Sequence, residues 1–325
     1  MNPLKRIDPM VQIVVAAIAV ASLLPARGET RDGVQIASSA MVFVLFLLYG
    51  LKLARGDVRA GMANVRLLGP LLLWVFGIMA LGGWLLWHAA MPFLPPLLAL
   101  GFLYLGTLPS TVQSATVYTS IAGGNVASSV VAAALLNIAG VFIAAPLFSL
   151  LAGTGNGGAD LSSFGKVAGL MLLPFVIGQA TQGLAGQWVR DHKRPVSFLE
   201  RGTIGLAVYS AFSGAVNEGI WQRVDAQAWA GLAAGCAGLL LIGYGGSWLL
   251  GKALRLNHGD RVAMVFAGAQ KSVAMGAPLA TVLFPPASAG IVMMPLLVYH
   301  LAQMVVAAPI AARMRETGQP SVRSE

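Results

Sequence analysis

Long apolar runs separated by short polar links organise almost the whole chain. They fall at residues 9–25, 34–52, 67–88, 93–122, 126–152, 164–188, 199–219, 228–251, 261–284 and 288–312. Each approaches the ~20 residues that a helix needs to cross a bilayer at ~1.5 Å per residue. The pattern predicts an all-α membrane protein with ten transmembrane helices, a single transporter-sized domain. Its first half would run to about residue 152, its second from about 164 to 312, with a tail at 313–325. The first run follows Lys5 and Arg6 as a secretory signal would, but "SLLPARGETRDG" offers no small-residue cleavage site, so it reads as a retained helix.

Two runs are interrupted in the same way. The fourth contains "GTLPSTVQSATVYTS", where Pro109 removes a backbone donor ahead of Ser110, Thr111, Gln113, Ser114 and Thr116. The ninth contains "AGAQKSVAMGAP", where Gly268, Gly276 and Pro278 surround Gln270, Lys271 and Ser272. A short link without charge follows each, "AGGN" or "FPPAS", and then another apolar helix. The two are five runs apart, an odd number, so the halves would enter the membrane in opposite senses. Inverted repeats with broken helices at the midplane mark a transport site.

Composition agrees with a membrane solvent: 57% of the 325 residues are hydrophobic and 10% are charged, against about 25% charged in an ordinary soluble domain. A net charge of +9 would suggest nucleic acid in a soluble protein. Here the charges sit between the runs and act as topology determinants, so no nucleic-acid partner is expected. With ten spans, sixteen of the 21 basic residues fall on one side, against Arg27, Arg31, Lys166 and Arg223 on the other, and Lys271 lies inside a run. That places both termini in the cytoplasm and the protein in the inner (plasma) membrane, multi-pass. Cys236 is the only cysteine, which excludes an intramolecular disulfide.

Taken singly, most intramembrane Ser and Thr residues serve packing or bond their own helix. The coincidence of two polar clusters at matching breaks gives them weight, because irregular backbone at that depth must be buried in protein or line a cavity. Asn125 reads equally well as the cap of the fifth helix and as a site residue. Ser129 lies on that helix; His300 and Gln303, three apart, share a face of the tenth. Nothing has a metal-ligand spacing, and no cofactor is expected. Lys271 differs in kind: a charge at a span centre costs about 2.5–3.5 kcal/mol, and snorkelling from there would have to reach too far. All twelve acids fall in links or near span ends, so its partners must be carbonyls, polar side chains, water or an anionic solute.

The segments "LPSTVQSATVYTSIAGGNVASSVVAAALLN" and "FAGAQKSVAMGAPLATVLF…VYHLAQ" resemble the paired signatures of the bile acid:sodium symporter superfamily, best in its SBF-like branch. The resemblance implies a core of helices three to five and eight to ten, with broken helices four and nine crossing, and a moving panel of helices one, two, six and seven. It implies transport of an organic, anionic solute by alternating access. Site residues would be Ser110, Thr111, Gln113, Ser114 and Thr116 on one side, Gln270, Lys271 and Ser272 on the other, and Asn125, Ser129, His300 and Gln303 around them.

The sequence departs from the family's sodium-ligand pattern. Gln270 is kept, but Phe266, Val75 and Ala133 stand where oxygen donors are implied, and Lys271 has been gained. A lysine ammonium reaching the vacated site would replace the ion's charge; because buried lysines change protonation readily, a proton stands beside sodium as the coupling ion. Two other classes are open to the residues. A regulatory or channel-like protein of cation homeostasis would want rings of acids, and a Ser/Lys intramembrane hydrolase would need Ser110 or Ser114 across the crossing from Lys271. The charge asymmetry carries a direct test: in intact cells, Gly157→Cys should react with an impermeant thiol reagent and Gly318→Cys should not. Labelling at 318 alone would reverse the topology.

Overall fold

The computed structural model describes residues 8–52, 64–153 and 165–318. Lys5, Arg6, Arg55, Arg59, Arg323, the link around Asp160 and residues 319–325 of the tail lie outside the described residues. Among the described residues every regular element is helical. In chain order they are α1 (Pro9–Leu23), α2 (Gly28–Lys52), α3 (Val65–Ala90), α4 (Pro96–Thr107), α5 (Val112–Ile121) and α6 (Val126–Ala152). There follow α7 (Gly165–Ala180), α8 (Gln182–Asp191), α9 (Lys193–Asn217), a single helical turn at Ile220–Arg223, α10 (Ala226–Ala253), α11 (His258–Ala269), α12 (Val273–Leu283) and α13 (Pro286–Gly318). Of these, α2, α3, α6, α10 and α13 are each long and apolar enough to cross a membrane.

Local chemistry sets the boundaries. Side chains of Asp8, Asn125, Asp225, Asn257 and Ser272 accept backbone N–H groups in the first turns of α1, α6, α10, α11 and α12, pairing donors that a helix start leaves free. Pro109 forces Leu108 into extended backbone (ψ 149°) and ends α4. Single π-helical turns interrupt α3 at Trp74–Ile78, α7 at Ala168–Leu172 and α10 at Ile242–Gly246.

The expected sixth run, 164–188, is not one straight span. After Ala180 the axis turns by 98° into α8. The cause is a change of solvent preference: Gln179, Thr181, Gln182, Gln187, Arg190 and Asp191 interrupt the apolar run, and the Thr181 hydroxyl takes up the Ile177 carbonyl at 2.8 Å, closing α7.

Helices α1, α2, α7 and α9 pack on one another, and α9 also lies against α12 and α13. Several contacts are backbone to backbone, as small residues permit in membranes. A Cβ on Gly50 or Gly178 would overlap carbonyls of α7 or α2, and one on Gly83 would stand 2.5 Å from Phe102 O of α4. Gly50→Val or Gly178→Val should therefore cost about 1–3 kcal/mol of stability through overpacking. Gly238→Ala, with nothing within 4 Å, should melt in detergent at the wild-type temperature.

Candidate functional site

The break between α4 and α5 (residues 108–111) meets the break between α11 and α12 (residues 270–272), and the two repair each other's backbone. The Ser272 N–H donates to Pro109 O at 3.0 Å. From α13, Gln303 Oε1 accepts the Lys271 N–H at 2.8 Å while its Nε2 donates to Lys271 O at 3.2 Å. Tyr299 OH donates to Ala269 O at 2.6 Å. From α6, Asn137 Nδ2 donates to Ser110 O at 2.7 Å. Tyr104 of α4 reaches Gly276 O of α12 at 2.5 Å. In hydrocarbon each of these groups would otherwise cost several kcal/mol.

Lys271 is fully buried, and its ammonium is held by main chain alone. Nζ lies 2.7 Å from Leu108 O and 2.9 Å from Gly106 O, at the C-terminal end of α4, with Val75 O of the α3 π-turn at 3.5 Å. In that turn the Met79 N–H reaches back to Trp74 O, which re-registers the α3 carbonyls. Three N–H donors thus converge on three carbonyl oxygens, at a helix end whose dipole favours a cation. Among the described residues, no carboxylate and no serine hydroxyl is a partner of this amine.

Gln270 is also buried; its Oε1 accepts the Ser114 hydroxyl across the two breaks, and its Nε2 has no partner. The Thr119 hydroxyl donates to Ser129 Oγ at 3.2 Å. Ser110 Oγ and Thr116 Oγ1 are buried without a partner. Because the Lys271 N–H can only donate, Gln303 presents its oxygen there, and its amide then donates to His300 Nδ1 at 2.8 Å. The imidazole proton is left on Nε2, which is buried without a partner.

A cavity of about 560 Å³ opens beside the meeting point. On one side it is bounded by Tyr49 and Lys52 of α2, Phe175 of α7 and Glu200 of α9, with Asp8; on the other by α5, α6, α12 and α13. Of the residues expected from the sequence, Thr111, Gln113, Ser114, Ser272 and His300 line it. Lys271, Gln270 and Gln303 face the breaks and Ser110 lies within one, whereas Ser129 bonds Thr119 of α5, away from them. The residues Thr111–Ser114 and Ser272–Met275 are the first turns of α5 and α12, so two half-helix N-termini face the cavity. Apolar residues of α6 such as Val131, Leu135 and Ile138 form its wall. Tyr49 donates to Glu200 Oε1 at 2.9 Å near its mouth.

Asn125 lies elsewhere and does two things. Its Oδ1 caps α6, and its Nδ2 donates to Asp260 Oδ1 at 2.9 Å. Asp260 Oδ2 accepts from Asn257 at 2.9 Å and from Asn64 at 3.4 Å, and the Asn125 N–H bonds Gly259 O. The starts of α3, α6 and α11 are thereby tied together. Sequence reasoning filed Asp260 with the link acids; its only signal was the spacing of Asn257 and Asp260 around a helix start.

An all-helical membrane chain with two broken helices meeting beside a cavity has the build of a transporter. A model of the SBF-like CPA transporter family matches residues 8–316, and the chain belongs to that family. It is 34% identical over 330 residues to YfeH of Escherichia coli (strain K12), which bears the description of a candidate symporter; the match covers 100% of this chain and 98% of that one. An uncharacterized Pseudomonas aeruginosa protein, PA2026, is 35% identical over 307 residues, 94% of this chain and 92% of its own. Sodium/bile acid cotransporter 7 of Mus musculus is 23% identical over 318 residues, 90% and 88% of the two chains. The resemblance carried by the two broken segments is thus a family membership, and the chain is a multi-pass membrane transporter for a small solute.

The repair of the second break yields a test. Gln303→Ala removes both partners of the Lys271 peptide and should cost about 1–3 kcal/mol per group left unpaired, seen as a lowered melting temperature in detergent. Tyr299→Phe, which frees only Ala269 O, should cost less.

Proposed function

We propose that the protein is a secondary transporter that carries an organic anion across the inner membrane by alternating access. It would have ten spans in two inverted five-helix repeats and both ends in the cytoplasm. Matching interruptions support the repeat: the broken pairs have 12 and 10 residues in α4 and α5, and 12 and 11 in α11 and α12. The helix before each broken pair carries a π-turn. The Asp260 clasp supports the topology, because it joins three helix starts that the charge asymmetry puts on the cytoplasmic side. Asp8 and Lys52 at the cavity mouth would then make the described state inward-facing.

The observation that carries the anionic reading is the pair of half-helix N-termini facing the cavity, since such ends favour negative charge. The apolar α6 wall suits an organic body. Coupling is where this chain parts from the sodium in the mouse relative's name. The Lys271 ammonium already stands as a monovalent cation between the two broken helices, held by carbonyl oxygens as an alkali ion would be. Lys271 is a tethered cation in this reading, and transport needs no sodium.

The test is uptake of taurocholate, and of any organic anion that raises the melting temperature of the purified protein, into proteoliposomes with potassium or choline replacing sodium on both sides. Wild type should transport equally in all three salts. Lys271→Met keeps most of the volume but leaves Gly106 O and Leu108 O without the amine, so it should melt lower in detergent, at about 1–3 kcal/mol per group, and, measured per folded protein, should lose at least about tenfold in uptake, the equivalent of ~1.4 kcal/mol. Lys271→Arg should also be impaired, because a planar guanidinium does not fit a cage built for a compact ammonium. A wild type that stops without sodium, or a Lys271→Met protein with normal uptake, would leave Lys271 as a structural pin.

A further inference from the structure

The corner formed by α8 and the start of α9 (residues 193–198) contributes no residue to the cavity. Helix α8 buries one side and divides its exposed side between a polar and an apolar edge. Gly186 and Val189 are buried, and Val189 packs with Leu51 of α2 and Val196 of α9. Gln187 and Asp191 are exposed and bonded to each other at 3.0 Å. Leu184 and Trp188, four residues apart and so on one stripe, are 89% and 56% exposed. Phe198, early in α9, is 81% exposed. Between Trp188 and Phe198 come His192, Lys193 and Arg194, all exposed, and the Trp188 ring stacks on His192 at 4.4 Å.

A helix with one face on protein, one in water and one apolar stripe left bare, set at 98° to the apolar helix before it, matches a segment lying in the plane of the membrane surface. Its polar residues argue against re-entry into hydrocarbon, where Gln182, Gln187, Arg190 and Asp191 would all need partners. A tryptophan beside basic residues is the composition of the headgroup layer. The cations supply charge complementarity to one occupant.

We infer that α8 is an in-plane anchor that seats Leu184, Trp188 and Phe198 among lipid chains and binds anionic phospholipid headgroups through Lys193 and Arg194. Its buried face rests on α2 and α9, so the lipid contact fixes the α1–α2–α7–α9 group to the membrane surface and leaves the broken helices free of it.

The test uses the full chain in nanodiscs of phosphatidylcholine, with or without about a quarter phosphatidylglycerol. Nitroxide labels at Leu184→Cys or Gly183→Cys, the latter exposed with open space around it, in a Cys236→Ala background report accessibility to oxygen and to a nickel chelate. The label at 184 should be reached by oxygen and the label at 183 by nickel. In detergent, added phosphatidylglycerol should raise the wild-type melting temperature by about 3 °C, and Lys193→Gln/Arg194→Gln should lose at least half of that rise. Inorganic phosphate at matched charge should give none. Nickel access at 184 would overturn the anchor, oxygen access at both positions would show re-entry, and shielding of 184 from both reagents would show a second copy covering the stripe. An undiminished phosphatidylglycerol effect in the double variant, or an equal effect of phosphate, would remove the headgroup assignment.

Discussion

A peptide group inside a membrane has no water to fall back on, and this structure is arranged around that constraint. Two helices stop halfway, and each stop exposes N–H and C=O groups that must find partners inside the protein. The partners come from the other break and from flanking helices: Pro109 O for the Ser272 N–H, Gln303 for both sides of the Lys271 peptide, Asn137 for Ser110 O, Tyr299 for Ala269 O. Carbonyls at the end of α4 have no spare N–H to take them. The Lys271 amine fills that need by donating to the Gly106 and Leu108 carbonyls, so that a costly side chain and costly carbonyls satisfy one another.

The same arrangement separates repair from recognition. Lys271, Gln270 and Gln303 are buried among backbone, while Thr111, Gln113, Ser114, Ser272 and His300 line the cavity. Ser114 belongs to both layers, because its hydroxyl bonds Gln270 while its residue borders the cavity. In the proposed mechanism a solute at the half-helix ends would therefore be sensed by Gln270 through one hydrogen bond, without touching Lys271.

Much of this was legible in the sequence because membranes punish exceptions. A proline inside an apolar run, a lysine at its centre and glycines around it located both breaks. What the lysine does was not legible, since its partners Gly106, Leu108 and Val75 act through main-chain oxygens that no side chain announces. The cavity wall was hidden for the opposite reason: Val131, Leu135 and Ile138 look like any other membrane core. The turn at Thr181 was lost in an apolar average over 164–188, although Gln182, Gln187 and Arg190 already carried it. Asn125 was readable as a cap or a site residue, and it proved to be a cap that also bonds Asp260.

The seam between α9 and the α12–α13 corner has a mechanical meaning. A Cβ on Gly214 would overlap the Pro286 carbonyl, and one on Gly290 would sit 2.7 Å from Ala211 O. At these two positions the seam has no knob to withdraw from a hole and no rotamer to unlock. Such a joint can part and reseat along a flat path, its barrier set by lost dispersion contact rather than by interlocked side chains. In the proposed alternating-access cycle, a transporter that opens this face gains speed from glycine where a static protein would gain strength from leucine.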